Sequence, residues 1–320
     1  MYDVGIFASR HFSEVRIISV GNLSVGGTGK TPMVEYLIRK GLDMHVSLAV
    51  LSRGYGRTTK GVRIASPVDT AQDLGDESFG YYAQFGERIR VVVAERRVEG
   101  MTAIRAHFPD VRVVILDDAF QHRALKPDYS LLLTPFHLPF WKDYLLPAGR
   151  LREARSGFRR ADALILTKCP HAQDVRESDG WKTLTEMEHL CAATSVRYGD
   201  IISMQGKTKS QVIAVAGLAD NRPFFSFLEA NYSVVACFSF PDHKRYQATD
   251  LEEVVQLAVA REAMIVTTFK DAVKLKDLPI FQTISWGYVP IETYFLAGEE
   301  EFLKNVTPFL NPSTESFDHP

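Results

Sequence analysis

The chain has 320 residues, 46% of them apolar and 24% charged, with a formal net charge of −2. This length allows two domains, and the balanced charge excludes a general attraction to nucleic acid, so we expect no nucleic-acid partner. Cys169, Cys191 and Cys237 are far apart without CxxC spacing, which argues against a zinc site or a disulfide framework. No stretch approaches the roughly 20 apolar residues of a transmembrane helix.

Residues 15–31, VRIISVGNLSVGGTGKT, predict an apolar strand, a glycine-rich turn and the start of a helix. Such a turn offers successive backbone N–H groups to a polyanion, and the helix directs its positive end to the same point. Ser24 replaces the first glycine of the usual P-loop pattern GxxxxGK[ST]. The segment predicts a nucleoside triphosphate site, where Lys30 reaches the outer phosphates and Thr31 holds Mg²⁺. The residues expected to bind the nucleotide are Ser24, Val25, Gly26, Gly27, Thr28, Gly29, Lys30 and Thr31.

A second motif lies in residues 111–118, VRVVILDD, where an apolar strand runs into Asp117 and Asp118. This is the Walker B pattern, in which an aspartate at a strand end binds Mg²⁺, commonly through water. An acid at a strand end can also be a simple turn residue. The P-loop upstream favours the magnesium interpretation.

The alternation of strands and helices predicts an α/β fold, a P-loop NTPase-type, doubly wound and mostly parallel sheet, with a second, smaller α/β domain. After the first strand, further strands are predicted at 46–51, 88–94, 111–118, 129–134 and 163–168. The polar residues 199–211 predict a linker, after which strands at 211–219, 233–240 and 263–268 alternate with helices. We therefore expect a kinase core at 1–200 and a substrate or clamp domain at 208–290. The tail, 291–320, predicts a strand and a helix that return to the core.

Several polar segments allow two interpretations. Asp76 in LGDE can cap the following helix or act as a base near the P-loop. His243 in FPDHKRY can be a structural turn residue or a functional one. Arg53 and Arg57 can bind phosphate or belong to a solvated turn. Residues 136–160, rich in aromatics and arginines, can meet acyl chains and anionic headgroups or pack on the core.

The motifs GNLSVGGTGKTP, SRGYGR, LGDE, ILDDAFQH, LPAGRLRE, FPDHKRY and TTFKDAVKL occur in this order between about residues 15 and 295. In them the chain resembles the tetraacyldisaccharide 4'-kinases, the lipid A 4'-kinases of Gram-negative bacteria. The resemblance implies transfer of the γ-phosphate of ATP, with Mg²⁺, to the 4'-hydroxyl of tetraacyldisaccharide 1-phosphate, giving lipid IVA.

The resemblance also implies a role for each matched residue. Lys30 would stabilise the transferring phosphoryl group, Asp76 would accept the proton of the sugar hydroxyl, and His243 would tune that base. The metal environment would comprise Thr31, Asp117, Asp118 and Glu153, and Gln121 and Arg152 would line the phosphates.

The partners implied are the lipid substrate and the cytoplasmic leaflet of the inner membrane, which a monomer would meet peripherally through residues 136–160. Two features depart from the family. Its members usually carry an N-terminal hydrophobic helix where this chain has MYDVGIFASRHF, and a glutamate where it has Phe269. Two alternatives stay open: a switch-type ATPase with a GGxGKT loop, and a kinase of a soluble sugar or nucleoside.

Overall fold

The computed structural model describes residues 9–171 and 174–312. Contacts within the backbone divide the chain into two units, unit 1 with residues 1–196 and 293–320 and unit 2 with residues 197–292. Most of the N-terminal segment MYDVGIFASRHF, residues 1–8, lies outside the described residues. Within the described ranges, none of the helices has both the length and the hydropathy needed to cross a bilayer.

The secondary structure alternates between strands and helices along the chain. The strands are β1 (Arg16–Gly21), β2 (Leu48–Ser52), β3 (Arg63–Ile64), β4 (Arg90–Val93), β5 (Val113–Asp117), β6 (Tyr129–Pro135), β7 (Ala163–Thr167), β8 (Leu190–Tyr198), β9 (Ile202–Gln205), β10 (Gln211–Ala216), β11 (Ser233–Ser239), β12 (Met264–Thr268), β13 (Trp286–Val289) and β14 (Ile291–Ala297). The α-helices are α1 (Lys30–Asp43), α2 (Ala71–Leu74), α3 (Asp76–Phe85), α4 (Arg97–His107), α5 (Asp179–Thr185), α6 (Arg222–Asn231), α7 (Glu252–Ala260), α8 (Phe269–Leu275) and α9 (Glu299–Leu310).

Unit 1 contains a nine-stranded sheet in the order β14-β8-β7-β6-β1-β5-β2-β4-β3. The neighbouring pairs from β8 to β4 are parallel, and β3 runs antiparallel to β4. All residues of β2, β5 and β7 are buried, as expected for parallel strands covered on both faces. The predicted fold class, a mostly parallel α/β sheet, is confirmed.

Helices cover both faces of this sheet. Helices α1, α3 and α9 pack in one cluster with Ile18 and Val20, whereas α4 packs in a second cluster with Ile17. Neighbouring residues of β1 face opposite sides because side chains alternate along a strand. Within the sheet, β2, β4 and β5 lie on one side of β1, whereas β6 and β7 lie on the other side. Ligands of open α/β sheets bind at the carboxyl end of the strand where the order reverses, which here is β1.

Unit 2 contains a five-stranded sheet in the order β11-β10-β12-β13-β9. The first four strands are parallel, and β9 pairs antiparallel with β13. The prediction of a linker at 199–211 is therefore wrong, because four of its residues form β9. All side chains of β9 are exposed, so this edge strand lacks the apolar alternation that would have indicated it.

Candidate active site

The predicted phosphate loop connects β1 to α1. Gly26 (φ 99°) and Gly29 (φ 83°) adopt the left-handed backbone conformation that favours glycine. Helix α1 begins at Lys30, and among the described side chains none caps its N-terminus. Its first N–H groups are therefore available to an anion.

The loop of residues 143–153, called the 143–153 loop below, holds the phosphate loop from one side. The Val25 N–H donates to the Arg150 carbonyl (2.8 Å) and the Arg152 N–H to the Leu23 carbonyl (2.7 Å). Ser24 and Leu151 form an antiparallel bridge between these contacts. Backbone hydrogen bonds thus fix the conformation of the phosphate loop.

Lys30 and Arg152 meet at the carboxylate of Asp118. Lys30 Nζ lies 3.6 Å from Asp118 Oδ1, and Arg152 donates to Oδ1 (2.8 Å) and Oδ2 (3.3 Å). Both cations also donate to the side-chain oxygen of Asn22, a residue that the sequence did not single out. Burial alone would raise the pKa of Asp118, but the hydrogen bond from Arg152 and the charge of Lys30 hold it below its usual value. Two cations and an ionised carboxylate therefore converge beside the phosphate loop.

Asp117 differs from its neighbour because it is buried. Its Oδ2 accepts a hydrogen bond from the Tyr81 hydroxyl (3.2 Å), whereas its Oδ1 has no partner among the described residues. Burial raises the pKa of Asp117 to about 7, although the charge of Lys30 lowers it. The side chain of Thr31 also forms a hydrogen bond with Tyr81. Tyr81, which the sequence did not indicate, thus connects the two predicted magnesium ligands.

The donor set around Asp117 suits Mg²⁺. The Thr31 hydroxyl and the Asp117 oxygen that has no partner in the described part of the chain are hard oxygen ligands of the kind that Mg²⁺ prefers. Residues 9–171 and 174–312 contain no group of three or more His, Cys, Asp or Glu that could hold a metal ion. A magnesium site of this type needs none, because water and phosphate oxygens supply the remaining ligands.

Gln121 links Asn22 to Glu153 by hydrogen bonds. The Gln121 Nε2 group donates to the Asn22 carbonyl (2.7 Å) and to Glu153 Oε1 (2.9 Å). Arg160 donates to both carboxylate oxygens of Glu153, at 2.8 and 2.7 Å. The structure thus brings these residues to the base of the phosphate loop, and a metal role for Glu153 stays a prediction.

Asp76 is the first residue of α3. Gly54 and Gly75, both with positive φ, allow the loop after β2 to approach the start of this helix closely. A Cβ atom on Gly75 would lie only 2.7 Å from the Tyr55 carbonyl oxygen. The hydroxyls of Ser52 and Ser78 are 2.5 Å apart and join β2 to α3. Because β1 and β2 are both parallel to β5, Asp76 and the phosphate loop lie at the same edge of the sheet.

The sequence allows two interpretations for Arg53 and Arg57, phosphate binding or a solvated turn, and the structure agrees with neither for Arg57. Arg53 is exposed, whereas the Arg57 guanidinium is buried in an ion pair with Glu95 at 2.6 Å. Arg97 is also buried and donates to the carbonyls of Ala94 (3.0 Å) and Asp117 (3.4 Å). Burial lowers the pKa of Arg97 to about 10. In the sequence nothing distinguishes Arg97 from the solvated arginines beside it.

His243 lies in unit 2, in the loop that follows β11. Its side chain is partly exposed, and its Nε2 is 3.7 Å from Asp242 Oδ2. The loop lies at the carboxyl edge of the unit's own parallel sheet. The functional role of His243 stays a prediction.

Known proteins resemble this chain over almost its full length. The family model described as LpxK, Tetraacyldisaccharide-1-P 4'-kinase, matches residues 1–310. A tetraacyldisaccharide 4'-kinase of Flavobacterium johnsoniae is 35% identical over 98% of this chain and 93% of its own length. A tetraacyldisaccharide 4'-kinase of Bacteroides thetaiotaomicron is 34% identical over 99% of this chain and 90% of its own.

A solved crystal structure of the same family is also similar to this chain. The crystal structure of the "apo" form of LpxK from Aquifex aeolicus in complex with ATP superposes with a TM-score of 0.77. The two chains are 31% identical, and the match covers 97% of this chain and 92% of the other. The chain therefore belongs to the tetraacyldisaccharide-1-P 4'-kinase family.

Proposed function

We propose that this protein transfers the γ-phosphate of ATP to the 4'-hydroxyl of tetraacyldisaccharide 1-phosphate. The observation that carries the proposal is the convergence of Lys30, Arg152 and Asp118 beside a loop of the phosphate-binding type. Family membership gives the acceptor, and the ATP complex of the Aquifex aeolicus protein supports the donor.

Charge compensation is the task of the two cations. In phosphoryl transfer, negative charge spreads over the oxygens of the transferring group, and catalysis consists mostly of positioning and electrostatic stabilisation. Lys30 and Arg152 exchange their contacts with Asp118 and Asn22 for contacts with the triphosphate. Asp118 holds both side chains near the loop until the nucleotide binds.

Thr31 and Asp117 are the residues that would hold Mg²⁺, and Oδ1 of Asp117, which has no partner among the described residues, supports this assignment. When bound, the ion would neutralise charge on the nucleotide phosphates. Asp118 and Glu153 complete the acidic surroundings, with arginines bound to both carboxylates.

Asp76 accepts the proton of the attacking 4'-hydroxyl in this proposal. It is the first residue of α3 and lies at the same edge of the unit 1 sheet as the phosphate loop. A carboxylate can accept a proton as the phosphoryl group moves. The family resemblance gives His243 the role of tuning this base, and we keep that role as part of the proposal.

The 143–153 loop supports a lipid acceptor and contact with the inner membrane. Tyr144, Leu145 and Leu146 are exposed by 65%, 49% and 53%. The buried Asp143 fixes their backbone by accepting hydrogen bonds from the N–H groups of Tyr144 and Arg150. Exposed apolar side chains next to arginines suit acyl chains and anionic headgroups.

The reaction is tested by transfer of ³²P from γ-labelled ATP to tetraacyldisaccharide 1-phosphate in detergent micelles with Mg²⁺. We expect a labelled lipid that the Lys30→Ala variant does not produce. Label on a water-soluble sugar without detergent would instead identify a soluble acceptor. ATP hydrolysis without any acceptor would favour the switch-type ATPase.

Membrane contact is tested by flotation with vesicles of phosphatidylglycerol and phosphatidylethanolamine. The double variant Leu145→Ser, Leu146→Ser should float less than the unaltered protein. Val68→Ser is the matched control, because Val68 is 84% exposed elsewhere on unit 1. Equal flotation of all three proteins would contradict a role of this loop at the membrane.

A further inference from the structure

We propose that Lys270 positions His243 by holding Asp242, an inference that rests on the role given to His243 above. Lys270 lies in the first turn of α8, and its Nζ donates to Asp242 Oδ1 at 2.6 Å. The side chains are 28% and 34% exposed, so the pair is partly shielded from water. Asp242 follows β11 and Lys270 follows β12, so both residues lie at the carboxyl edge of the unit 2 sheet.

Asp242 connects Lys270 to His243 through both of its oxygens. Oδ1 also accepts the His243 backbone N–H (3.0 Å), and Oδ2 lies 3.7 Å from the imidazole Nε2. His243 has φ 58°, a left-handed conformation that is uncommon for residues other than glycine. The carboxylate therefore stabilises an unusual backbone conformation and faces the ring at the same time.

Lys270 also lowers the pKa of Asp242. Burial alone would raise the pKa of Asp242, but the hydrogen bond and the charge of Lys270 lower it below its usual value. Lys244, which follows His243 in the loop, binds Asp250 at 2.7 Å instead. Loss of Lys270 would remove this ion pair and allow the carboxylate to rotate away from the imidazole.

The start of α8 fixes Lys270 in turn. The Thr268 hydroxyl accepts the Asp271 N–H (3.2 Å) and donates to Asp271 Oδ2 (2.9 Å). Asp271 is fully buried and also accepts the Gly217 N–H at 2.8 Å. The rings of Phe269 and Tyr288 are 5.1 Å apart. Phe269, the departure from the family pattern, therefore anchors this turn by an aromatic contact.

The test compares Lys270→Met with Lys244→Met. The two lysine–aspartate pairs have nearly the same length and exposure, but only the first includes Asp242. We expect Lys270→Met to lower kcat about tenfold with the KM for ATP unchanged, because a misplaced group slows chemistry without weakening nucleotide binding. Lys244→Met should stay within about twofold of the unaltered protein. Lys270→Arg should recover most of the loss, because the guanidinium can also bind the carboxylate.

A spectroscopic measurement separates positioning from a general structural effect. In protein with ¹³C-labelled histidine, Lys270→Met should shift the ring resonances of His243, and Lys244→Met should leave them in place. If Lys270→Met does not fold, judged by thermal unfolding, Asp242→Asn replaces it with the same expected results. Equal kcat values for the two lysine variants, or unchanged His243 resonances, would overturn the inference.

A further variant, His243→Gln, shows which proposal has failed. A slow His243→Gln together with a normal Lys270→Met overturns only the inference about Lys270. A normal His243→Gln overturns both the role of His243 and the inference built on it. Absence of transfer by the unaltered protein would contradict the proposed reaction, whereas unchanged His243 resonances in Lys270→Met would contradict the positioning alone.

Discussion

The two sheets both end in polar loops at their carboxyl edges, but the charged groups differ in their surroundings. At the edge of unit 1, Asp117 is buried, and one of its oxygens has no partner in the part of the chain that the structure describes. At the edge of unit 2, Asp242 is about one-third exposed and faces Lys270 and His243. The first arrangement leaves a buried acceptor for a ligand, whereas in the second Lys270 compensates the charge of Asp242.

The energies of the two arrangements indicate different tasks. A buried polar atom without a partner costs about 1–3 kcal/mol, so it persists where a ligand completes it. An exposed ion pair contributes only about 0–1 kcal/mol, so its main effect is on the orientation of side chains. We infer that Asp117 is placed to bind a ligand, whereas the ion pair of Asp242 orients one group.

The largest expected effect belongs to Asp76. Asp76→Asn keeps the size and polarity of the side chain but removes the proton acceptor, so turnover should fall roughly 10³-fold. ³²P transfer measures the loss, and calorimetry should give unchanged ATP binding. Asp73→Asn, which alters the cap of the preceding helix, is the control. Near-normal turnover of Asp76→Asn would remove this residue from the base role.

Arg152→Met should have the next largest effect. The variant loses one of the two cations beside the phosphate loop, so kcat/KM for ATP should fall about 10²-fold. Arg159→Met removes an exposed arginine from the same region and should leave kcat/KM unchanged. Equal kcat/KM values for Arg152→Met and Arg159→Met would show that the cluster around Asp118 is structural. Such a result would contradict the different tasks assigned to the two sheets.

A buried carboxyl group away from both edges predicts a pH-dependent stability. Burial raises the pKa of Glu35 from 4.5 to about 7, although Arg39 lowers it. The folded protein therefore binds a proton between these values that the unfolded chain has lost, and stability falls as the pH rises from about 4.5 to 7. Urea unfolding of Glu35→Gln should show little change at pH 5 and a gain of about 1–3 kcal/mol at pH 8. Glu99→Gln, at an exposed ion pair, should show no such difference, and equal gains at both pH values would contradict the assignment.

The smallest effect concerns the anchor of α8. Phe269→Ala should lower the free energy of unfolding by about 1 kcal/mol, because an aromatic pair is lost. A double-mutant cycle with Tyr288→Ala measures the coupling between the two rings. Additive effects of the two substitutions on the free energy of unfolding would contradict an interaction between the rings. They would also weaken the argument that α8 fixes Lys270.

The sequence predicts the phosphate loop well because its chemistry is local. Glycines with positive φ, a lysine at the start of a helix and a preceding apolar strand lie within one short segment. The same holds for β5, whose end is marked by Asp117 and Asp118. No sequence pattern predicts strand β8, and the polar residues 199–211, which include β9, predict a linker. The side chains of β9 are exposed, so its pairing depends on β13 rather than on its own pattern.

The residues around the site were harder to predict. Asn22, Tyr81 and Arg97 contact predicted residues only because separate elements meet in the folded protein. Arg97 is buried although arginines in a helix are usually solvated. The composition of residues 136–160 distinguishes this segment, but the backbone pairing of its 143–153 loop with the phosphate loop has no sequence signal.

The last strand and helix have a consequence for the synthesis of the protein. Strand β14 joins the sheet of unit 1 beside β8, and Phe302, Val306 and Leu310 of α9 fill the same apolar cluster as α1. Unit 2 lies between β8 and these elements along the chain, so the ribosome completes it first. Unit 1, whose first residues leave the ribosome earlier, therefore keeps an exposed apolar face until α9 has been synthesised.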